Sequence, residues 1–149
     1  MPVTQQVTLR LTQKEKYRFE VDWSLPSSEH GTIDEPPPLG KGEGPNASRL
    51  VAAAVAHCLS SSLLYCLERV HAPSEGLEVT ALAEIARNER GRWRLSHVTV
   101  TLDPRIPAAH KEAFERCKGL FEDYCVVTEA IRQGVPVDVK WADGSQPKS

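Results

Sequence analysis

Residues 36–70 read PPPLGKGEGPNASRLVAAAVAHCLSSSLLYCLERV, and the fold turns on how that stretch divides. Pro36 to Pro45 has no hydrophobic period, and its three consecutive prolines make it a stiff, extended loop. Asn46 is a residue type that caps helices, and residues 50, 51, 54, 55, 58, 59, 62 and 63, apolar except for Ser62, follow on one helical stripe. The opposite side carries Ala52, Ala53, Ala56, Ser60 and Ser61, small rather than charged. This pattern predicts one long helix from Asn46 to Val70, buried on most sides and ended by His71-Ala72-Pro73 and Gly76, with Cys58 near its middle. No fixed charge lies between Leu50 and Leu67, a run at the short end of a membrane span. Three serines, His57 and four alanines dilute it, so a buried helix is expected.

Before this stretch, Val7, Leu9 and Leu11 alternate with polar residues over Val3–Leu11, and Phe19, Val21 and Trp23 do the same. Two strands are expected there, joined by a polar turn at Gln13–Lys16, with Arg18 at the start of the second. Residues 24–45 hold five of the chain's eleven prolines and read as a long loop with a short strand near Thr32-Ile33. After the helix, Leu77–Arg87 and Trp93–Leu102 form a β-hairpin around Asn88-Glu89-Arg90-Gly91. A second helix opens at Pro107 and runs to about Tyr124, and a short third helix ends at Gly134. A last strand, Val135 to Trp141, follows. The order ββ, α, ββ, α, α, β predicts an α+β fold with antiparallel sheets.

At 149 residues and 16.5 kDa, one domain over residues 1–142 with a polar tail over 143–149 is expected. A net charge of −2 with mixed signs offers no footprint for nucleic acid or an anionic membrane. The N-terminus lacks the pattern of a secretory leader, so the expected compartment is the cytoplasm.

The four cysteines, Cys58, Cys66, Cys117 and Cys125, lack the close spacing of a zinc site, and no metal is expected. In a reducing compartment they are either inert or redox-active. Cys125 falls just before the third helix, where the N-terminal field would favour its thiolate. Cys58 lies about three turns inside its own helix, so a cation or hydrogen-bond donor from elsewhere would have to activate it. Arg18, Lys41, Arg49 and His57 are the candidate cations. His57 points roughly 100° away from Cys58 around the helix and is read as an ordinary polar histidine.

Three segments together resemble the OsmC/Ohr family: Leu39–Asn46, Leu50–Ser60 with Cys58, and Cys125–Val137. The two cysteine motifs occur in the same order, about seventy residues apart, and the resemblance covers most of the chain. It implies an OsmC-like fold with a buried central helix and an interwoven homodimer. It also implies a cysteine-based peroxidase acting on organic hydroperoxides and on hydrogen peroxide.

In that scheme Cys58 is the peroxidatic thiolate and Cys125 the resolving thiol. An external dithiol reductant restores both, and no metal or organic cofactor takes part. The family's activating arginine falls on Arg18. Its helix-start glutamate has no match at Ala47, Ser48 or Arg49, and the nearest acid is Glu43, with Glu35 and Asp34 further back. The loop would line the pocket over Cys58 with Pro38 and Leu39. Cys66 and Cys117 have no counterpart role and are expected to be buried packing thiols. The missing helix-start acid motivates the alternative, a stress-response or ligand-binding dimer that keeps the fold without efficient turnover.

Overall fold

The computed structural model describes residues 4–146. It is α+β: a three-stranded antiparallel sheet, a two-stranded sheet, one long helix and two short ones. Backbone proximity groups the chain into two compact units, Met1–Ala53 with Ala81–Thr99, and Ala54–Thr80 with Val100–Ser149.

In the first unit, strands β1 (Arg10–Glu15), β2 (Arg18–Asp22) and β3 (Gly31–Ile33) form a sheet in the order β1-β2-β3. Val21 on the middle strand is fully buried. The expected strand over Val3–Leu11 is displaced: β1 starts at Arg10, and Gln13–Glu15 of the expected turn belong to its end, while residues 1–3 lie outside the described residues. Every residue of β1 is exposed, so edge pairing with β2, not a hydrophobic period, sets its limits. Pairing runs from Arg10↔Asp22 to Glu15↔Arg18, with an irregularity between Gln13 and Glu15. The tight turn is Lys16-Tyr17; Lys16 takes φ +50°, and its carbonyl accepts a hydrogen bond from Gln13 Nε2 at 2.8 Å. The short strand expected near Thr32-Ile33 is β3, paired Phe19↔Ile33 to Val21↔Gly31.

Helix α1 (Ala47–Arg69) is the long element the sequence pointed to. Asn46 Oδ1 accepts the Arg49 backbone N–H at 3.1 Å, closing the N-terminus as an Asn cap does. Buried positions recur at 52, 55, 59, 62, 63, 66 and 67, the three- and four-residue spacing of one packed helix face. The helix is therefore partly buried, not buried on most sides as expected: Ala52, placed on the opposite side by the sequence, is buried, and Ala54, placed on the stripe, is exposed. By length and composition alone the helix also satisfies the requirement for a bilayer span. It ends in a Schellman turn: His71 takes φ +55°, His71 N–H bonds the Glu68 carbonyl, and Ala72 N–H bonds the Leu67 carbonyl at 2.9 Å. His occupies the position that glycine usually takes, and Pro73 prevents continuation.

Strands β4 (Glu78–Arg87) and β5 (Trp93–Asp103) pair as the expected hairpin. Asn88 Oδ1 accepts the N–H groups of Arg90 and Arg92, and Gly91 takes φ +74°. The Arg87 guanidinium lies 4.3 Å from the centre of the exposed Trp93 ring.

In the second unit, Pro107 opens a 3-10 turn that leads into α2 (Lys111–Lys118). A further 3-10 turn (Phe121–Tyr124) precedes α3 (Val126–Gln133), which stops at Gly134 with φ +85°. The expected helix from Pro107 to Tyr124 is therefore broken by Gly119. The expected strand from Val135 to Trp141 does not form. Its alternation is present, but Val137 is 81% exposed, and the segment pairs with no strand among the described residues.

Cys66 and Cys117 are not packing thiols. They form a disulfide with Cα atoms 5.8 Å apart, linking α1 to α2 across 51 residues of sequence. Both half-cystines are buried. Spacing along the chain carries no signal for such a bond; only the approach of α2 to the buried stripe of α1 creates it.

Candidate active site

The second unit holds Cys58 and Cys125, both as free thiols. Cys125 is the residue before α3, in an extended conformation with φ −84° and ψ 98°. Its carbonyl accepts the Glu129 N–H, the first bond of the helix. The N–H groups of Val126, Val127 and Thr128 are left without partners inside that helix. Cys58, projecting from α1, meets them: the Val127 N–H points at Cys58 Sγ from 3.4 Å.

The electrostatics follow from this placement. Burial pushes the Cys58 thiol up, but hydrogen bonds from the Cys125 thiol and from the N–H groups of Val127, Thr128 and Val126 outweigh it. The net shift is down from the ordinary value of 9.0. Cys125 moves the other way. Burial and the neighbouring Cys58 sulfur raise it, against the opposing pull of the Thr128 hydroxyl and N–H. The expectation that the α3 field would favour a Cys125 thiolate is therefore reversed. That field falls on Cys58, and Cys125, almost wholly buried, stays a thiol.

Thr128 and Arg132 complete the arrangement. Thr128, itself buried, places Oγ1 2.8 Å from Cys125 Sγ. Its hydroxyl rotates and can either accept from the Cys125 S–H or donate to the sulfur. When it donates, the single Cys125 proton is free to face Cys58. Arg132 Nη2 bonds Glu122 Oε1 at 2.7 Å, strapping α3 to the turn just before Cys125. An eight-residue helix gains from such a strap because it is too short to hold its own N-terminus in place. Sequence reading passed over the backbone donors and Arg132; the boundary between Cys125 and the helix was the visible signal for the first.

The first unit holds the remaining expected residues. Arg18 Nε lies 3.1 Å from Glu43 Oε2, with Glu15 at 3.8 Å, while Lys41 pairs with Glu15 at 3.2 Å. These pairs are half exposed, so their contribution is geometry more than stability. Pro38 and Leu39 are exposed, Arg49 is exposed beyond its capped N–H, and His57 is exposed on α1. Asp34, noted in sequence only as an acid further back, is buried under the loop. Its carboxylate accepts the N–H groups of Glu35 at 2.8 Å, Lys41 at 3.2 Å and Glu43 at 3.1 Å. Among the described residues no cluster of three His, Cys, Asp or Glu is placed to hold a metal ion.

The sequence profile of the family described as OsmC-like protein matches residues 40–140, about two thirds of the chain. The chain belongs to the OsmC-like family. Solved OsmC-like structures superpose on it over most of their length. An OsmC-like protein from Mycoplasma pneumoniae gives a TM-score of 0.73 at 12% identity, covering 89% of this chain and 91% of that one. An OsmC-like protein of unknown function from Vibrio cholerae gives 0.67 at 14%, covering 85% and 94%. The organic hydroperoxide resistance protein OhrB of Bacillus subtilis gives 0.61 at 16%, covering 88% and 93%. At these identities the likeness establishes the OsmC-like fold. No curated protein sequence matches the chain.

Proposed function

We propose that the protein is a two-cysteine peroxidase that reduces organic hydroperoxides, and hydrogen peroxide as well, in the cytoplasm. The observation that carries this reading is the opposed pair of sulfurs: one favoured as a thiolate at a helix N-terminus, the other kept protonated beside it. A nucleophile and a resolving thiol need that division.

The Cys58 thiolate attacks the distal oxygen of ROOH. The O–O bond breaks, the alkoxide leaves and takes up a proton as ROH, and Cys58 becomes a sulfenic acid. The Cys125 sulfur then attacks the sulfenic sulfur; its proton and the hydroxyl leave as water, and a Cys58–Cys125 disulfide forms. An external dithiol reduces that bond by two exchange steps and is itself oxidised to a disulfide. The chain's own residues supply the groups for the first two steps, so no metal or organic cofactor is assigned.

Arg18 and Glu43 are assigned to activation, with Glu43 in place of the family's helix-start acid. Their 3.1 Å pairing supports the assignment. Leu39 and Pro38 are assigned to the apolar wall for the substrate's organic group, which their exposure leaves free to make contact.

A homodimer is part of the proposal. Support comes from large apolar residues left exposed, among them Tyr65, Leu82, Val137 and Trp141, and from the alternating segment Val135–Trp141, which lacks a strand to pair with among the described residues.

The test is consumption of cumene hydroperoxide with a dithiol reductant by the wild type, Cys58→Ser and Cys125→Ser. Loss of turnover in Cys58→Ser is expected, and Cys125→Ser treated with peroxide before any reductant is added should carry a Cys58 sulfenic acid in place of the Cys58–Cys125 disulfide. Equal rates in the wild type and Cys58→Ser would sink the peroxidase reading and leave a ligand-binding dimer.

A further inference from the structure

Asp34 is a buried carboxylate with no part in the chemistry above, yet it organises the loop that carries Glu43. The loop closes on it from three sides. Oδ1 takes the Glu35 N–H and Oδ2 takes those of Lys41 and Glu43. The Asp34 N–H bonds the Pro45 carbonyl at 3.2 Å, so the two ends of residues 34–45 are tied together directly. Within the loop, Gly42 N–H bonds the Glu35 carbonyl at 3.0 Å and Gly40 N–H bonds the Pro36 carbonyl. Gly40 has no room for a side chain: a Cβ there would collide with the Glu35 carbonyl and Asp34 Oδ1. The space among Glu15, Arg18, Asp34, Lys41 and Glu43 is only about 10 Å³, too small for a substrate.

Arg18 and Asp34 are neighbours through the sheet. Phe19 pairs with Ile33 at the end of β3, so the next position outward is Arg18 on β2 and Asp34 just past β3. The strand that presents Arg18 and the carboxylate that fixes the backbone of Glu43 are thus parts of one hydrogen-bonded frame.

We infer that Asp34 is the positioning residue for the Arg18–Glu43 pair: by holding the Lys41 and Glu43 N–H groups it fixes where the Glu43 carboxylate meets the Arg18 guanidinium. The catalytic weight of that pair rests on the proposed peroxidase; the positioning itself does not. A surface ion pair between two long side chains loses much of its benefit to side-chain entropy. Anchoring one partner's backbone removes part of that loss and gives the pair a single geometry.

The experiment combines NMR with kinetics on wild type, Asp34→Asn, Glu43→Gln and the double variant. In the wild type, the Lys41 and Glu43 amides and the Arg18 Nε–H are expected to be protected from solvent exchange. In Asp34→Asn these protons should exchange about tenfold faster or more, while the amides of β2 and α1 stay unchanged. Peroxide turnover should fall to the level of Glu43→Gln, and the double variant should fall no further, because both changes act through one carboxylate. Gly40→Ala displaces the loop without removing a charge and should give the same Arg18 signature, which keeps the inference testable if Asp34→Asn does not fold. Unprotected Lys41 and Glu43 amides in the wild type, an unchanged Arg18 Nε–H in the variants, or additive losses in the double variant would each overturn it. A wild type without turnover would remove the proposed function and leave the exchange measurements to judge Asp34 alone.

Discussion

The Val127 backbone N–H stands 3.4 Å from the Cys58 sulfur, so the activating field for a cysteine in the middle of one helix comes from the first turn of another. Cys125 sits at the start of that second helix but is buried and protonated, and its thiol adds to the donors around Cys58. Activation and resolution are thereby built from the same short segment.

Cys58 is expected to react first with iodoacetamide, with a pH midpoint below the ordinary 9.0, and Cys125 only above it. A lowered value keeps the thiolate populated as pH falls, until pH drops through the lowered midpoint. Cys125→Ala should move the Cys58 midpoint upward, since the thiol donor is lost. Mass-spectrometric alkylation rates between pH 5 and 10 measure both, and a Cys58 midpoint at or above 9 would contradict the assigned field.

Reducing or deleting the Cys66–Cys117 disulfide releases a loop of 51 residues of separation. Chain entropy alone puts the loss near 4 kcal/mol. The Cys66→Ala/Cys117→Ala variant should therefore melt well below the wild type by calorimetry, while keeping the single-turnover reaction of Cys58 with peroxide at temperatures where it remains folded.

Leu63 is 2% exposed at the centre of the buried stripe of α1. Leu63→Ala should cost about 2–5 kcal/mol in urea unfolding. Leu64→Ala, at a 40% exposed neighbour, should cost much less in the same measurement.

Asp34 lies below its ordinary value of 3.8, chiefly through the Glu43 N–H, with burial opposing and the Glu35 and Lys41 N–H groups and Arg18 assisting. A carboxylate whose folded value is depressed contributes stability that is fully present above its unfolded value. That contribution is lost as pH falls through the folded value. Unfolding free energy measured from pH 6 to 2 should therefore fall more steeply in the wild type than in Asp34→Asn. Parallel curves would mean that Asp34 does not titrate differently on folding.

Much of this arrangement is visible in the sequence where local chemistry decides it. Asn46, the stripe beginning at Leu50, and His71-Ala72-Pro73 delimit α1 because capping, burial and chain breaking are all local. The limits of β1 are hidden because an exposed edge strand has no hydrophobic period to reveal it. Val135–Trp141 carries the period of a strand, but alternation specifies only which faces differ; pairing needs a neighbour, and none is present among the described residues. The Cys125 motif marks the start of α3, yet which sulfur receives the field depends on where α1 passes. The same holds for Cys66 and Cys117, whose union depends on the approach of two helices.

Four cysteines can pair completely in three ways. With Cys66 and Cys117 already joined, an oxidant reaching the chain finds two thiols whose only mutual product is a Cys58–Cys125 bond. Scrambling would require a free thiolate to attack the Cys66–Cys117 bond; the burial of both half-cystines shields that bond from attack and so protects the fidelity of the Cys58–Cys125 pairing.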